Sequence, residues 1–258
     1  METPTEFETI ENGHRLSDTL ERLDGVEGWL SDAQAHRLWE AAARVRAPGQ
    51  IVEVGSFRGR STIVLAAGSA DGVDLVAIDP HAGGDRGPQE ITPDADRGGQ
   101  DFAAFHANLR RAGVEGRVRH VRARSLDALD AIEGDVDLLY VDGAHRYRPA
   151  RADIERLGAR VKPGGAMLVH DSFNAIGVTL AQLRLLVLSR QWRYRGRCGS
   201  LAEYRREQLT PGATIINALR QLAELTYFAR NLLVKLALVA RLRPLARLLG
   251  NSDGGWPY

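Results

Sequence analysis

The sequence predicts an α/β fold with a mostly parallel sheet of the Rossmann-like type. Short apolar strands alternate with helical segments over residues 49–210, an order typical of parallel strands joined by right-handed crossovers. Four of the strands are largely apolar, namely IVEVG, LVAID, LLYVD and AMLVHD, which indicates a sheet covered on both faces. We therefore expect one main domain over 49–210, with a helical segment at 1–48 before it and a further segment at 211–258 after it.

The elements can be assigned in chain order. Ser31 and Gln34 form a capping box, which predicts the start of a helix within 15–46. The pattern then predicts strands at 51–55, 74–79, 117–123, 136–142 and 166–171, with helices at about 60–69, 100–112, 149–161 and 176–189. WRYRGR at 192–197 and SLAEYRRE at 200–207 are expected to close the sheet as a pair, which makes seven strands.

Residues 80–100 interrupt this alternation. The segment is rich in Gly, Pro and Asp and has no periodicity. Because a loop of this length inside a compact domain usually has a functional role, we expect an active-site loop that closes over a substrate.

The C-terminal segment differs from the rest in charge. Residues 184–250 contain 13 Lys and Arg against 3 Asp and Glu, although the whole chain has a net charge of only +1. Residues 213–243 have the spacing of one basic amphipathic helix, which Pro244 ends or kinks. Its apolar side could pack on the domain, on a second subunit of a homodimer, or in a membrane interface. Nucleic acid is not expected, because the basic residues lack interleaved aromatic side chains apart from Trp192 and Tyr194.

Composition excludes several other classes. Cys198 is the only cysteine, so neither an intramolecular disulfide nor a cysteine metal site is expected. The acidic N-terminus has no apolar leader, and no run of about 18 uncharged apolar residues is present. The cytoplasm is the expected location, with a peripheral membrane contact as the open alternative.

The first strand leads into a glycine-containing turn. Gly55 and Gly59 lie between Glu53 and the start of a helix at Ser61 and Thr62, where free N–H groups can face a ligand. The pattern lacks the glycine spacing of the dinucleotide fingerprint. Asp79, however, follows the second strand about 20 residues later, where a carboxylate can bind ribose hydroxyls. The two features together predict an adenosine-containing ligand.

Two aspartates end the next strands. Asp142 follows the fourth strand and Asp171 the fifth, so both are expected at the same edge of the sheet. Two carboxylates in one place repel unless a cation or a proton separates them, and a hard divalent cation such as Mg²⁺ suits such a pair. His145 lies three residues after Asp142 and is a candidate general base, whereas we expect His170 to be packed against the sheet.

Several motifs together resemble those of one enzyme class. They are EVGSFRGRST (53–62), VAIDPH (76–81), RARSLDAL (122–129), DLLYVDGAHRYRPARADI (137–154) and RVKPGGAMLVHDSF (160–173). The set resembles the class I S-adenosylmethionine (SAM) dependent methyltransferases, over about residues 25–207. Within that class, DGAH and HD resemble the metal-dependent sugar O-methyltransferases, such as the macrolide-sugar and mycobacterial-type polysaccharide 1-O-methyltransferases.

The resemblance implies a set of residue roles. Glu53, Gly55, Ser56, Ser61 and Thr62 would line the methionine part of SAM, Asp79 would hold the ribose, Arg124 and Ser125 would flank the adenine, and Asp142 would border the cofactor. Asp142 and Asp171 would bind Mg²⁺, with His145 as the base. Catechol-type relatives place an asparagine after the second metal-binding aspartate, where this chain has Ser172. The third ligand therefore stays open between Ser172, Asn174 and water.

The expected activity is transfer of a methyl group from SAM to a hydroxyl of a sugar or saccharide-containing small molecule. The first alternative is a metal-independent methyltransferase, or another enzyme on the same fold with a different acceptor. The second is a peripheral membrane or interaction protein that binds SAM without turning it over. A chelator-sensitive consumption of SAM would separate the expected activity from both alternatives.

Overall fold

Seven strands form a single sheet in the computed structural model, which describes residues 15–84 and 92–251. They are β1 Gly49–Val54, β2 Val73–Ile78, β3 Val118–Val121, β4 Val136–Val141, β5 Val161–Val169, β6 Trp192–Cys198 and β7 Leu201–Arg206. The order across the sheet is β3-β2-β1-β4-β5-β7-β6. The first five strands are parallel, and β7 is antiparallel to β5 and β6. The predicted Rossmann-like, mostly parallel seven-stranded sheet is confirmed.

Helices cover both faces of this sheet. The helices are α1 Leu16–Arg22, α2 Asp32–Ala43, α3 Arg60–Gly68, α4 Ala95–Arg111, α5 Tyr147–Arg156, α6 Ile176–Leu185, α7 Pro211–Ala223, α8 Leu225–Val239 and α9 Arg243–Leu248. Neighbouring strand residues point to opposite faces, and Ile51 and Val52 accordingly lie in two separate apolar cores. Leu38 of α2 and Phe105 of α4 pack in the first core, and Ile154 of α5 in the second. Burial on both faces explains why the central strands β1, β2 and β4 are largely apolar.

The start of α2 is fixed by the predicted capping box. Ser31 Oγ accepts a hydrogen bond from the Gln34 amide at 3.4 Å, and the Ser31 amide donates to Gln34 Oε1 at 3.0 Å. These bonds satisfy two N–H groups at the helix start. The sequence signal and the structure agree here because a capping box depends only on local contacts.

The helix after β2 begins earlier than expected. We predicted a start near residue 100, whereas α4 begins at Ala95, so the end of the predicted 80–100 loop is helical. Asp94 caps it by accepting from the Arg97 amide at 3.0 Å. Gly98 obscured the helix in the sequence, but a Cβ there would lie 2.1 Å from the His81 carbonyl oxygen, so close packing requires a glycine. Residues 85–91 lie outside the described residues, and closure of the loop stays a prediction.

The prediction of a single C-terminal helix over 213–243 is wrong. Three helices, α7 to α9, occupy this segment, with breaks at Glu224 and at 240–242. Arg241 adopts a left-handed conformation at the second break, with φ 59°, and Pro244 lies in the first turn of α9, where proline is tolerated. Asn231 of α8 is fully buried, on a helix whose polar side was expected to face solvent. In the described residues, no helix combines the length and apolarity needed to cross a bilayer.

Candidate active site

A cavity of about 920 Å³ opens at the carboxyl ends of β1, β2 and β4. This volume is in the range of small-molecule sites. The strand order changes direction between β1 and β4, which is where open α/β sheets bind ligands. Six of the predicted site residues line the cavity: Gly55, Asp79, Arg124, Ser125, Asp142 and His145.

Gly55 makes the floor of the cavity by a close backbone contact. Its φ is +86°, and a Cβ at this position would lie 2.1 Å from the Asp142 carbonyl oxygen. The Gly55 amide donates to the Ile78 carbonyl at 2.9 Å. Glycine is needed here because it adopts a positive φ without strain and has no Cβ to clash with the Asp142 carbonyl. The turn therefore holds the ends of β1, β2 and β4 at one point.

Asp79 joins two loops at the mouth of the cavity. One carboxylate oxygen accepts from the Phe57 amide at 2.8 Å, and the other accepts from the His81 amide at 2.7 Å. These bonds fix the carboxylate at the end of β2, and its side chain remains 16% exposed. It is thus accessible to a ligand in the cavity.

Glu53, Ser61 and Thr62 lie behind the cavity and do not line it. Both hydroxyls donate to the Glu53 carboxylate, each at 2.5 Å, and Glu53 is fully buried. Burial raises the pKa of Glu53 to about 8, although the two hydroxyl bonds oppose the rise. Ser56 is also buried, and its hydroxyl has no hydrogen-bond partner among the described residues. These side chains support the glycine turn from beneath.

Asp153 is a cavity residue that the sequence reasoning missed. It lies on α5, is buried, and accepts from the Ser125 hydroxyl at 2.5 Å. Burial raises its pKa to about 6, against the opposing effect of the Ser125 bond. The sequence did contain a signal for this residue. Asp153 is a polar residue one turn before Leu157, on the buried side of a predicted helix.

Two aspartates and two histidines form an acidic cluster beside the cavity. Its members are Asp142, His145, His170 and Asp171. His145 Nε2 lies 2.9 Å from an Asp171 oxygen and 4.0 Å from an Asp142 oxygen, and His170 Nδ1 lies 3.2 Å from Asp142. The sequence predicted that Asp142, Asp171 and His145 would meet, and the sheet edge brings them together. His170 was expected only to pack against the sheet, yet it belongs to the cluster because β5 ends one residue before it.

Charge compensation within the cluster is mutual. Burial disfavours the protonated imidazoles, but the two carboxylates outweigh it and raise the pKa of His145 to about 10 and that of His170 to about 9. Burial likewise works against ionised Asp142 and Asp171, but the histidines hold both of their pKa values below the ordinary range. Among the described residues, the two histidines thus supply positive charge that offsets the two carboxylates.

His170 is a further candidate for the third metal ligand. Asp142, His170 and Asp171 each offer a ligand atom, and the three atoms lie within 4.8 Å of one another. The Nδ1 atom of His170 faces both carboxylates, at 3.2 Å from Asp142 and 3.9 Å from Asp171.

The two residues considered earlier for this role are engaged elsewhere. Ser172 donates to the Val169 carbonyl at 2.7 Å and accepts from Gln182 at 2.6 Å. Asn174 donates to Asp171 at 2.9 Å, and its own side-chain oxygen accepts from Lys235 at 3.1 Å. The side-chain oxygens of Ser172 and Asn174 therefore already have partners, whereas water stays open as a ligand beside His170.

The central part of the chain matches a known family. Residues 52–172 match the family described as "Methyltransferase domain". This stretch, just under half of the chain, runs from β1 to the residue after Asp171 and so contains the glycine turn, Asp79 and the acidic cluster. A curated relative, "Uncharacterized protein y4gI" of Sinorhizobium fredii (strain NBRC 101917 / NGR234), is 30% identical over 132 residues, which are 48% of this chain and 13% of the relative. The chain thus spans a small part of that protein.

Solved structures share the architecture. An O-methyltransferase from Bacillus cereus in complex with SAH superposes with a TM-score of 0.53 at 18% identity, covering 74% of this chain and 91% of that one. Cofactor-bound Rv0187 from MTB gives 0.52 at 19% identity, covering 75% and 89%. The fold is that of the Rossmann-like methyltransferases. At these identities the likeness shows the fold alone.

Proposed function

We propose that this protein is a SAM-dependent O-methyltransferase that methylates a hydroxyl of a sugar or saccharide-containing small molecule, with a divalent metal ion and His145 as general base. One observation carries the proposal: the cavity at the carboxyl ends of β1 and β2 has the acidic cluster of β4 and β5 at its side. The places proposed for the adenosine ligand and for the cation are thus adjacent, as metal-assisted methyl transfer requires.

The cofactor would lie along the floor made by the glycine turn. Asp79 would accept hydrogen bonds from the ribose hydroxyls, and Arg124 and Ser125 would border the adenine. Gly55 allows the backbone to approach the methionine part, which Glu53, Ser61 and Thr62 support indirectly from behind. This differs from the direct contacts that the sequence resemblance implied for those three residues.

The acidic cluster suits a metal ion. Asp142, His170 and Asp171 would hold it, because each offers a ligand atom and these three atoms lie within 4.8 Å of one another. When bound, a divalent cation lowers the pKa of a coordinated hydroxyl and stabilises negative charge on its oxygen. Two carboxylates suit Mg²⁺, the metal expected from the sequence, and an imidazole in the set makes Mn²⁺ a strong competitor.

A cation bound between Asp142 and Asp171 would offset the two carboxylates that raise the pKa of His145. His145 would then be neutral and could take the acceptor proton. It lines the cavity and its side chain is 31% exposed, so an acceptor hydroxyl can reach it. A histidine base of this kind typically contributes about 10²–10⁴-fold to the rate. The remaining acceleration would come from alignment of the hydroxyl with the methyl group in the cavity.

Calorimetric titration of SAM tests the cofactor site. We expect micromolar binding by the wild type and at least about a 30-fold loss for Asp79→Asn, because a charged hydrogen-bond acceptor contributes about 2 kcal/mol or more. Asp74→Asn is a matched control, since Asp74 lies at the opposite end of β2. Wild-type protein that fails to bind SAM would overturn the proposal.

Titration with Mn²⁺, followed by its electron paramagnetic resonance, tests the metal site. We expect Asp171→Asn to weaken Mn²⁺ binding by about 100-fold, and Asp130→Asn, an exposed change elsewhere, to leave it unaltered. Mg²⁺ should compete with Mn²⁺. Equal Mn²⁺ affinity in Asp171→Asn and wild type would refute the metal site while leaving the SAM site standing.

A transfer assay with methyl-labelled SAM tests the chemistry and the acceptor. The proposal expects label in a saccharide of an acceptor panel, lost on addition of EDTA and reduced about 10²-fold or more in His145→Ala. The saccharide acceptor rests on the resemblance of the DGAH and HDSF segments. If the label entered only hydroxyls of compounds that are not sugars, the saccharide acceptor would be wrong. If neither EDTA nor His145→Ala changed the activity, the metal-independent alternative would be favoured.

A further inference from the structure

The amphipathic helix α7 packs its polar side on the domain and leaves its apolar side exposed, which is the reverse of an ordinary surface helix. The side that faces the domain is polar, with Thr214, Asn217 and Gln221 all buried. Asn217 accepts from the Tyr194 amide at 2.7 Å and donates to the Trp192 carbonyl at 3.0 Å, so it attaches α7 to the edge strand β6. Polar contacts hold the helix in place, and its apolar side chains are left for the outside.

The outward side of the C-terminal helices is strongly apolar. Ten of the fifteen exposed large apolar side chains in the described part of the chain lie between residues 215 and 248. On α7 they include Ile216 and Leu219, which are 61% and 62% exposed, and on α8 Leu236 and Val239, at 56% and 71%. We call the exposed side chains of residues 215–248 the C-terminal outer face. Such a concentration of exposed apolar side chains marks a surface that binds something.

The same face carries positive charge. Residues 211–251 contain six Lys and Arg and one acidic residue, Glu224. Arg220, Arg241, Arg243 and Arg247 are exposed. Glu224 is already bound, since it accepts from Arg197 at 2.7 Å. The occupant of this face must therefore be both apolar and negatively charged.

These two properties distinguish between the candidate occupants. In a twofold dimer the same patch meets itself, so the exposed arginines of one copy would lie near those of the other without carboxylates to offset them. An anionic lipid surface satisfies both properties, because acyl chains bury the apolar side chains and lipid phosphates meet the arginines. We propose that the C-terminal outer face docks this protein on an anionic membrane surface. This contact is interfacial and involves α7 to α9.

Co-sedimentation with vesicles tests the docking. Wild-type protein should bind vesicles of phosphatidylcholine mixed with phosphatidylglycerol, bind phosphatidylcholine alone much more weakly, and lose binding at high salt. Leu219→Gln/Leu236→Gln should lower the partition coefficient about tenfold for each leucine. Arg241→Gln/Arg243→Gln should lower it about fivefold for each arginine.

Matched changes outside the face provide the controls. Leu188→Gln removes a side chain that is 77% exposed on the segment after α6, and Arg110→Gln/Arg156→Gln removes two exposed arginines of α4 and α5. Both should bind vesicles as the wild type does, and circular dichroism melting should show that all variants fold.

Sedimentation equilibrium without lipid completes the test. The proposal would be overturned if the wild-type protein did not bind anionic vesicles. It would also be overturned if the wild-type protein were a dimer that Leu219→Gln/Leu236→Gln converts to a monomer, because a second copy of the chain would then cover this face. Loss of binding in the control variants equal to that in the face variants would overturn it as well, since the binding would then not be specific to this face.

Discussion

Replacement of Glu53 by glutamine should change how the stability of this protein depends on pH. Glu53 is fully buried, its carboxyl is bound only by the hydroxyls of Ser61 and Thr62 among the described contacts, and burial raises its pKa to about 8 from an ordinary value of 4.5. Between these two pH values the folded protein keeps a proton that the unfolded chain has lost. The free energy of unfolding of the wild type therefore falls as the pH rises through this window.

The size of the effect follows from linkage. One proton retained on folding lowers the free energy of unfolding by about 1.4 kcal/mol per pH unit. From about pH 5 to about pH 8 this gives a loss on the order of 4 kcal/mol for one fully buried carboxyl. Glu53→Gln has nearly the same shape and cannot titrate, so it should lack this loss. The variant should be comparable to the wild type near pH 5 and clearly more stable near pH 8.

Urea unfolding in the absence of ligands, repeated across this pH range, measures the difference. Only the pH slope of the variant relative to the wild type matters, because the histidines of the acidic cluster titrate in both proteins. Glu155→Gln makes the same change at an exposed position of α5 and controls for a general charge effect. If the free energy of unfolding of the wild type and of Glu53→Gln changed with pH in parallel, Glu53 would not be a buried carboxyl without a compensating charge. Its placement behind the cavity would then be refuted.

Two further substitutions test how the site and the C-terminal helices are held. Gly55→Ala should lower the free energy of unfolding in urea by at least about 3 kcal/mol, because the new Cβ would lie 2.1 Å from a backbone carbonyl and the φ of this residue is positive. The control Gly116→Ala places no atom within 4 Å of the new Cβ and should change the free energy of unfolding by less than about 1 kcal/mol. Asn217→Ala should cost about 2–4 kcal/mol, because the Tyr194 amide and the Trp192 carbonyl both lose their partner. A fully wild-type unfolding midpoint for Asn217→Ala would show that α7 is held by other contacts.

The sequence alone determined the features that local pattern and topology control. Apolar strands alternating with helices specify a parallel sheet, and parallel strands end at one edge, so the meeting of Asp142, Asp171 and His145 follows from their positions at strand ends. The capping box of Ser31 and Gln34 was readable for the same reason, since all its contacts lie within one turn.

Tertiary structure decided what depends on packing between distant segments. Whether Glu53 faces a ligand or the hydroxyls of Ser61 and Thr62 depends on how α3 lies against β1, which no pattern in the sequence encodes. His170 lies in the acidic cluster because β5 ends one residue before it. Ser172 and Asn174 are instead engaged by partners from other parts of the chain, Gln182 and Lys235. The outward apolar face of α7 could not be foreseen either. Amphipathic spacing shows that a helix has two sides, but the side that the domain buries is decided by the hydrogen bonds that the domain edge offers.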